Sequence, residues 1–334
     1  MRDPVTGYEY PEEWVRKCKD PAELSLAKSG LGVLLADGRV LRRGFTTGTT
    51  ATAAVKACIL SLLNHVDRVE VELNCGLRVE VEAEGDNGIG QAVKYAGDYV
   101  TDVTANIELQ ARYLGEAKML ELQAGEGIGR LSRDTPLYQK GQAAISASAM
   151  SQIARNAQIA FSAAGLPGAK VELSAPRGEE VAARTLNPRM GVVGGISILG
   201  STGLVEPWDD HLGQTVMERV RKADKVVLTT GRIGLNHARR MFPRHESILV
   251  GVNIEKALQE ARGEVVLLGL PALIMKFIDP EVLNGTGAAT VEELMQHPEG
   301  KAVLERTLDR FKERYPVVGI VVVDRSGRVL GERA

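Results

Sequence analysis

The sequence predicts a mixed fold, α/β and α+β, with an N-terminal antiparallel sheet covered by helices on one face and a C-terminal doubly wound (Rossmann-like), mostly parallel sheet. In the first half, apolar and polar residues alternate along the predicted strands, which is typical of a sheet with one face in water. In the second half, short and continuously apolar runs alternate with helical stretches, which is typical of strands buried on both faces.

The first half begins with an extension, residues 1–40, that carries one short helix starting at the N-cap Asp20. A helix is predicted from about residue 51 to 63, where apolar residues recur at helical spacing. Alternation over residues 68–84 predicts a hairpin that turns at Asn74–Gly76. The same patterns predict a second hairpin, a helix and a strand: Val103–Gln110 with Lys118–Gln123, about 141–163, and Lys170–Ser174.

The second half is predicted to alternate strands with helices. The predicted strands are Val192–Leu199, Lys225–Thr230, Ile248–Val252, Val265–Leu268 and Val317–Val323. The predicted helices span about 210–222, 233–241, 254–261, 271–278 and 290–313. This change in the pattern of predicted strands and helices divides the chain into the extension 1–40, an α+β domain 41–186 and a Rossmann-like domain 187–334.

Composition limits the classes of partner. The net charge of -2 gives no basic field for nucleic acid or an anionic membrane. No apolar run approaches the roughly 18–20 residues of a membrane span, and the polar start of the chain does not read as a signal peptide. Cys18, Cys58 and Cys75 have no paired spacing, so we expect free thiols in a reducing cytoplasm.

A glycine-rich turn, Gly194–Gly203, follows the first predicted strand of the second half. A strand, a glycine turn and a helix start together let backbone N–H groups approach a ligand, and a doubly wound sheet binds ligands at the carboxyl ends of its strands. The spacing fits neither of the common phosphate-binding glycine motifs, so it favours an unusual cofactor. Close packing of a helix on a strand would also require glycine here.

The end of the next strand discriminates between cofactors. The residues Thr230-Gly231-Arg232 stand where a dinucleotide site of the NAD type has an acidic residue for the ribose hydroxyls. These residue types argue against an NAD site. An NADP-like site and an adenosyl site are both compatible with them. An ordinary strand-to-helix turn would look the same.

A predicted helix start contains the segment Thr46-Thr47-Gly48-Thr49, which follows Arg42 and Arg43 in the sequence. Hydroxyl groups and free N–H groups at a helix N-terminus can bind an anion, although an ordinary N-cap with two solvated arginines gives the same sequence. Arg130 is the last residue of the glycine-rich segment 125–130. This segment either lies over a ligand or is a flexible stretch that follows a hairpin. The five histidines show no metal-ligand spacing, so no protein-bound metal is expected.

Several of these segments, taken together, resemble the CbiD family. The segment from Leu41 to Ala57, with its core Gly44-Phe45-Thr46-Thr47-Gly48-Thr49-Thr50, is similar to the family's entry motif. Three further matches follow in order: Gly125-Glu126-Gly127-Ile128-Gly129-Arg130, Pro176–Ala182, and Thr185-Leu186-Asn187-Pro188-Arg189-Met190-Gly191 continuing through Gly203 to Pro207.

The resemblance implies an S-adenosylmethionine-dependent methyltransferase of anaerobic cobalamin biosynthesis, which methylates C1 of cobalt-precorrin-5B to give cobalt-precorrin-6A. Cobalt would then arrive inside the small-molecule corrinoid substrate. The α+β domain would contribute the macrocycle site and the Rossmann-like domain the S-adenosylmethionine site. An NADP-dependent tetrapyrrole reductase and a non-catalytic tetrapyrrole carrier are the alternatives, and the composition permits a homodimer.

Roles for individual residues follow from this resemblance. Cofactor binding is expected at Gly194, Gly195, Ser197, Gly200, Thr202, Gly203, Thr230 and Gly231. The residues expected to bind the carboxylates of the substrate are Arg42, Arg43, Thr46, Thr47, Gly48, Thr49 and Arg130. Asp98 and Asp102 are the candidates for catalytic groups that assist proton movement.

Overall fold

The structure, a computed structural model, describes residues 1–134, 139–207 and 216–334. The chain divides into two compact units. We call Arg42–Asp210 the α+β unit, and Met1–Leu41 with His211–Ala334 the parallel-sheet unit.

The helices are α1 (Glu12–Lys17), α2 (Pro21–Ser29), α3 (Thr47–Leu60), α4 (Ala147–Ala164), α5 (Gly178–Ala182), α6 (Asn187–Met190), α7 (Val216–Lys222), α8 (Arg232–Met241), α9 (Ile254–Glu260), α10 (Pro271–Ile278), α11 (Val291–Leu294) and α12 (Gly300–Arg314).

The strands are β1 (Gly32–Leu34), β2 (Val40–Arg42), β3 (Gly44–Phe45), β4 (Val66–Glu72), β5 (Arg78–Asp86), β6 (Ile89–Val93), β7 (Glu108–Glu116), β8 (Glu121–Ala124), β9 (Gly127–Ile128), β10 (Arg130–Leu131), β11 (Ala169–Ser174), β12 (Val192–Val193), β13 (Gly195–Ile196), β14 (Leu204–Val205), β15 (Lys225–Thr229), β16 (Glu246–Leu249), β17 (Glu264–Gly269), β18 (Gly319–Val323) and β19 (Val329–Arg333).

The α+β unit is built on a sheet in the order β4-β5-β6-β7-β11-β8. Its neighbouring strands are antiparallel except for the β11–β8 pair. Helix α3 lies across β4 to β7, and α4 packs against α3. Alternate residues of β5 are buried and the others are exposed, so one face of the sheet is covered and the other is open. This confirms the fold class predicted for the first half.

Glycines in the sheet let α3 approach closely. A Cβ atom on Gly90 would lie 2.2 Å from the carbonyl oxygen of Ala54, and one on Gly85 would lie 2.6 Å from that of Ala57. The helix is rich in alanine and threonine and is buried along almost its whole length. Its position, and with it that of its N-terminus, is therefore fixed by backbone contact rather than by long side chains.

The predicted second hairpin is wrong. Strands β7 and β8 do not pair with each other, because β11 lies between them. It is antiparallel to β7 and parallel to β8. Alternation along a strand indicates that it has one buried face but does not identify its neighbours.

The parallel-sheet unit has the strand order β16-β15-β17-β18-β19. The first four strands are parallel and β19 is an antiparallel edge. Separate apolar clusters cover the two faces, one including Leu228 and Leu267 and the other including Val227 and Leu268. The doubly wound class is therefore confirmed. The chain goes from β15 to β16 on one side and then to β17 on the other, so the topology switches between β15 and β17.

The helices of this unit that follow residue 215 agree with the prediction with one exception. The predicted helix 290–313 is two helices, α11 and α12. The predicted helix 210–222 appears as α7, and the beginning of that prediction lies outside the described residues.

The prediction that Val192–Leu199 is the first strand of the parallel sheet is wrong. This segment forms two short strands, β12 and β13, which pair with β10 and β9 of the α+β unit. The compact units consequently differ from the predicted domains 41–186 and 187–334, because the described residues through Pro207 belong to the first unit.

The N-terminal segment contains the predicted helix, with Asp20 accepting a hydrogen bond from the backbone N–H of Ala22 at 2.8 Å. It is part of the parallel-sheet unit rather than a separate extension 1–40. The Tyr8 ring packs 5.3 Å from the ring of His237 on α8, and Asp3 lies 3.8 Å from the guanidinium of Arg240. Aromatic and ionic contacts thus join this segment to α8.

Candidate functional site

Helix α3 begins directly against the glycine-rich turn. Thr46 is the N-cap, and its hydroxyl oxygen accepts a hydrogen bond from the N–H of Thr49 at 3.1 Å. The backbone N–H of Gly48 donates to the carbonyl oxygen of Leu199 at 2.8 Å. The structure therefore brings together two predicted sites in the α+β unit, the threonine-rich helix start and the turn Gly194–Gly203.

The threonine hydroxyl groups hold the backbone of that turn. Thr47 donates to the carbonyl oxygen of Ser197 at 3.0 Å and accepts from the N–H of Leu199 at 2.9 Å. Thr49 donates to the carbonyl oxygen of Gly203 at 2.7 Å. Both side chains are buried. In this arrangement the hydroxyls that were predicted to bind substrate carboxylates already have partners inside the protein.

Three glycines meet at the other end of the turn. A Cβ atom on Gly195 would lie 2.0 Å from the carbonyl oxygen of Gly127, and one on Gly178 would lie 2.1 Å from the same oxygen. The segments containing these residues are the ones that carry the family resemblance. Close backbone packing therefore accounts for these glycines without a ligand.

The other predicted cofactor residues of the turn fall into two groups. Gly194 has a left-handed backbone (φ +74°) and no heavy atom within 4 Å of a Cβ position. The remaining four make internal contacts: the Ser197 hydroxyl donates to Asn187, the Thr202 hydroxyl donates to the carbonyl of Leu204, Gly200 packs on Thr46, and Gly203 packs on Gln152. Their role in cofactor binding stays a prediction.

The two neighbouring arginines differ sharply in their surroundings. Arg43 is buried (1% exposed), and its guanidinium binds the Glu206 carboxylate at 2.9 Å. Arg42 is exposed, and its side chain has no hydrogen bond or ion pair within the described part of the chain. The exposed Arg130 uses its guanidinium to donate to the carbonyl oxygens of Ala124 (2.8 Å) and Gly141 (3.1 Å). Of the three, Arg42 has the guanidinium that is open to an incoming carboxylate.

The two predicted acids lie in the loop between β6 and β7. The exposed Asp98 accepts a hydrogen bond from the backbone N–H of Arg42 at 2.7 Å. Asp102 is ion-paired to Lys94, and both side chains are largely buried. Thr104 donates to the second oxygen of Asp102 through its N–H (2.9 Å) and its hydroxyl (2.6 Å).

This environment sets the charge of the Lys94–Asp102 pair. Burial by itself would raise the pKa of Asp102, but the Lys94 ammonium and the hydrogen bonds from Thr104 outweigh it and hold the pKa below its usual value. Burial lowers the pKa of Lys94, and Asp102 opposes that change. No sequence pattern singled out Lys94, since it lies in an irregular segment without periodicity.

Thr230 and Gly231 lie in the parallel-sheet unit, at the carboxyl end of β15. Here the topology switches, and Gly231 is the N-cap of α8 with no side chain capping the helix. Across the switch, a Cβ atom on Gly269 at the end of β17 would lie 2.7 Å from the Thr230 hydroxyl oxygen. Doubly wound sheets bind ligands in such a crevice, and cofactor binding by these two residues stays a prediction.

The predicted cofactor residues are thus divided between the two units, whereas every predicted substrate residue and both predicted acids lie in the α+β unit. Across residues 1–134, 139–207 and 216–334, no cluster of three or more His, Cys, Asp or Glu side chains could hold a metal ion. None of the helices in the described ranges is long and apolar enough to cross a membrane.

Comparison with known proteins identifies the family. The CbiD family model matches residues 35–207. Two relatives, from Methanoculleus marisnigri and Methanoregula boonei, are named cobalt-precorrin-5B C(1)-methyltransferase. The first is 50% identical over 335 residues and the second 50% over 332, in each case covering 99% of this chain and 99% of the relative.

A solved structure matches as well. The crystal structure of cobalamin biosynthesis protein (cbiD) from Archaeoglobus fulgidus has a TM-score of 0.57 and 34% identity, and the match covers 97% of this chain and 100% of that one. The names of the relatives favour the methyltransferase over the reductase and the carrier. This chain therefore belongs to the CbiD family, and it is a methyltransferase.

Proposed function

We propose that this protein transfers the methyl group of S-adenosylmethionine to C1 of cobalt-precorrin-5B, which gives cobalt-precorrin-6A in anaerobic cobalamin biosynthesis. The observation that carries the proposal is the name shared by relatives that are 50% identical over nearly the whole of both chains. In this proposal cobalt is part of the substrate.

The crevice at the carboxyl ends of β15 and β17 fits the methyl donor. Helix α8 starts there at Gly231, and no side chain caps it, so the N–H groups of its first turn are suited to an anionic group. The methionine part of the donor carries a carboxylate of this kind. Thr230, immediately before Gly231, adds a hydroxyl group at the same edge.

The surface around Arg42 fits the macrocycle, which is broad and apolar and carries carboxylates at its rim. The open Arg42 guanidinium suits a carboxylate. The half-exposed Tyr95 ring lies 6.0 Å from the ring of Phe45 and offers an apolar surface beside it. Asp98, held by the Arg42 N–H, is the carboxylate at this surface that faces solvent.

The donor supplies an already activated methyl group, bound to a positively charged sulfur. The protein's contribution is then mainly to bind both reactants, to hold the accepting carbon in line with the methyl group and to exclude water. Asp98 is better placed than Asp102 to exchange a proton with the substrate, since Asp102 is engaged by Lys94 and Thr104.

The test is methyl transfer with the purified protein. It is incubated with methyl-labelled S-adenosylmethionine and cobalt-precorrin-5B, and NADPH replaces the donor in a parallel reaction. We expect the label to appear in a corrinoid product and S-adenosylhomocysteine to form in equal amount. Consumption of NADPH would favour the reductase, and binding of the corrinoid without label transfer would favour the carrier.

The homodimer also remains a proposal, for which sedimentation velocity is the test.

A further inference from the structure

We propose that the adenosyl part of the methyl donor binds in a cavity of about 720 Å³ at the carboxyl ends of β17 and β18. The proposal rests on the function proposed above and adds a site for the donor's base and sugar. The cavity is lined by α10 and the residue before it, by α11 and the two residues after it, and by the segment after β18. The chief lining residues are Leu270, Leu273, Glu292, Met295, Gln296 and Asp324. None of them is among the residues predicted from the sequence to bind the cofactor.

The cavity adjoins the switch between β15 and β17. Leu273, in the first turn of α10, lines the cavity, and its Cδ1 atom is 3.9 Å from the Cβ position of Gly231 at the start of α8. The same side chain therefore borders both the cavity and the crevice proposed for the methionine part. A ligand with its carboxylate at α8 can extend past Leu273 into the cavity. The volume is in the range of pockets for small organic ligands, roughly 300–1,000 Å³.

The lining suits a flat ring with apolar faces and polar edges. Leu270, Leu273 and Met295 supply apolar wall, and Leu273 is 51% exposed although it is a large apolar residue. On the α11 side, the amide group of Gln296 makes no hydrogen bond with any described residue, and so it is available to a base or a ribose hydroxyl.

The opposite wall is held by hydrogen bonds within the protein. Asp324 follows β18, and one of its oxygens accepts hydrogen bonds from the N–H of Ser326 (2.9 Å), the hydroxyl of Ser326 (2.6 Å) and the N–H of Arg328 (3.0 Å). These bonds hold the segment after β18 in one conformation without help from a ligand. A wall of this kind is preorganised, which reduces the entropy lost on binding.

The charges of the lining favour an adenosyl group over a phosphorylated dinucleotide. Arg325 is the cation among the lining residues, and its guanidinium is bound to the Glu292 carboxylate at 2.9 Å. Asp324 lies 3.3 Å from the Arg328 guanidinium, so each of the two carboxylates is already paired with an arginine. No cation among the described lining residues is left to bind a 2′-phosphate or a pyrophosphate, whereas an uncharged nucleoside needs none.

The experiment measures binding of S-adenosylhomocysteine to the full-length protein by calorimetry. Leu273→Trp places a large ring in the cavity, and we expect it to weaken binding at least about tenfold. Val317→Trp is the matched control. Val317 is 90% exposed and precedes β18, so it lies at the amino ends of the parallel strands, opposite to the cavity. This control should bind as the wild type does. Gln296→Leu removes one hydrogen-bonding group and should weaken binding about fivefold.

Thermal unfolding of each variant shows whether it is folded, and Gln296→Leu carries the test if Leu273→Trp does not fold. Wild-type affinity in a folded Leu273→Trp and in Gln296→Leu would overturn the cavity as the adenosyl site while leaving methyl transfer intact. If the wild type neither binds S-adenosylhomocysteine nor transfers the methyl group to cobalt-precorrin-5B, the proposed function fails, and this inference fails with it.

Discussion

Lys94 and Asp102 form an ion pair inside the loop that joins β6 to β7. Their side chains are 2% and 8% exposed. The loop is closed at its base, where the N–H of Lys94 donates to Ile107 at 2.9 Å and the N–H of Asn106 donates to Lys94 at 3.0 Å. Because the same loop contains Asp98 and Tyr95, the ion pair fixes the surface on which we propose that the macrocycle binds.

Replacing Asp102 by asparagine should destabilise the protein strongly. Asp102→Asn leaves the buried Lys94 ammonium without its counter-charge, and breaking a buried pair in this way costs about 3–5 kcal/mol. Urea unfolding followed by circular dichroism gives the loss. The control is Asp98→Asn, which changes an exposed side chain that accepts one backbone hydrogen bond and should cost about 1 kcal/mol or less. Equal losses in the two variants would contradict this account.

The contribution of Asp102 should disappear in acid. In the folded protein its pKa lies below the usual value of 3.8, so the unfolded chain takes up the proton first as the pH falls. The stabilisation is complete above that value and is lost as the pH falls through it towards the folded pKa. The difference in unfolding free energy between the wild type and Asp102→Asn should therefore be largest near pH 7 and shrink below about pH 4. Urea titrations at pH 7, 5, 4 and 3 measure it, and an unchanged difference at pH 3 would refute the assignment.

Local patterns in the sequence predicted the elements that depend on neighbouring residues. The period of apolar residues predicted α3, and the N-cap Asp20 with its following proline predicted α2. Alternation predicted the hairpin β4–β5. In each case the hydrogen bonds or the buried face repeat over a short stretch of chain, so the signal is contained in that stretch.

Contacts between distant segments were not predictable in this way. The apolar run Val192–Leu199 looks like a buried strand of a parallel sheet, yet its partners are β9 and β10. The pairing of Lys94 with Asp102 was not predictable either, although the two are only eight residues apart, because it occurs in a loop without periodicity. The partners of Thr47 lie about 150 residues away. Burial can be read from residue type, but the identity of the neighbour depends on topology.

Arg42 should be needed for binding of the corrinoid but not for stability. Arg42→Gln removes an exposed guanidinium without a partner in the described chain, so we expect unchanged stability and a KM for the corrinoid that rises about tenfold or more. Initial rates at saturating donor measure this. Arg112→Gln, an exposed change elsewhere in the same unit, is the control. A wild-type KM in Arg42→Gln would remove Arg42 from the proposed macrocycle site.

Substitution of two adjacent glycines distinguishes the role of the turn in packing from its predicted role in ligand binding. Gly195→Ala would place a methyl group 2.0 Å from the Gly127 carbonyl oxygen and should destabilise the protein by about 3 kcal/mol. Gly194→Ala meets no neighbouring atom and should cost only about 1 kcal/mol for its left-handed backbone. Thermal unfolding compares the two. Because Gly194→Ala should stay folded, its affinity for S-adenosylhomocysteine tests the predicted cofactor role of the turn, which weaker binding would support and unchanged binding would oppose.

The hydroxyl of Thr47 should be needed for stability, since it makes two hydrogen bonds to the turn at once. Thr47→Val keeps the shape of the side chain but leaves the N–H of Leu199 and the carbonyl of Ser197 without this partner, at a cost of about 1–3 kcal/mol. Thr47→Ser restores the hydroxyl and should recover most of the loss.

Thr50→Val is the matched control in the same helix. Its hydroxyl donates to the carbonyl of Thr46, which already accepts the backbone N–H of Thr50, so no group is left unpaired and the loss should stay below about 1 kcal/mol. Urea midpoints of the three variants give the comparison. If Thr47→Val were no less stable than Thr50→Val, the hydrogen bonds between α3 and the turn would not be what holds these two segments together.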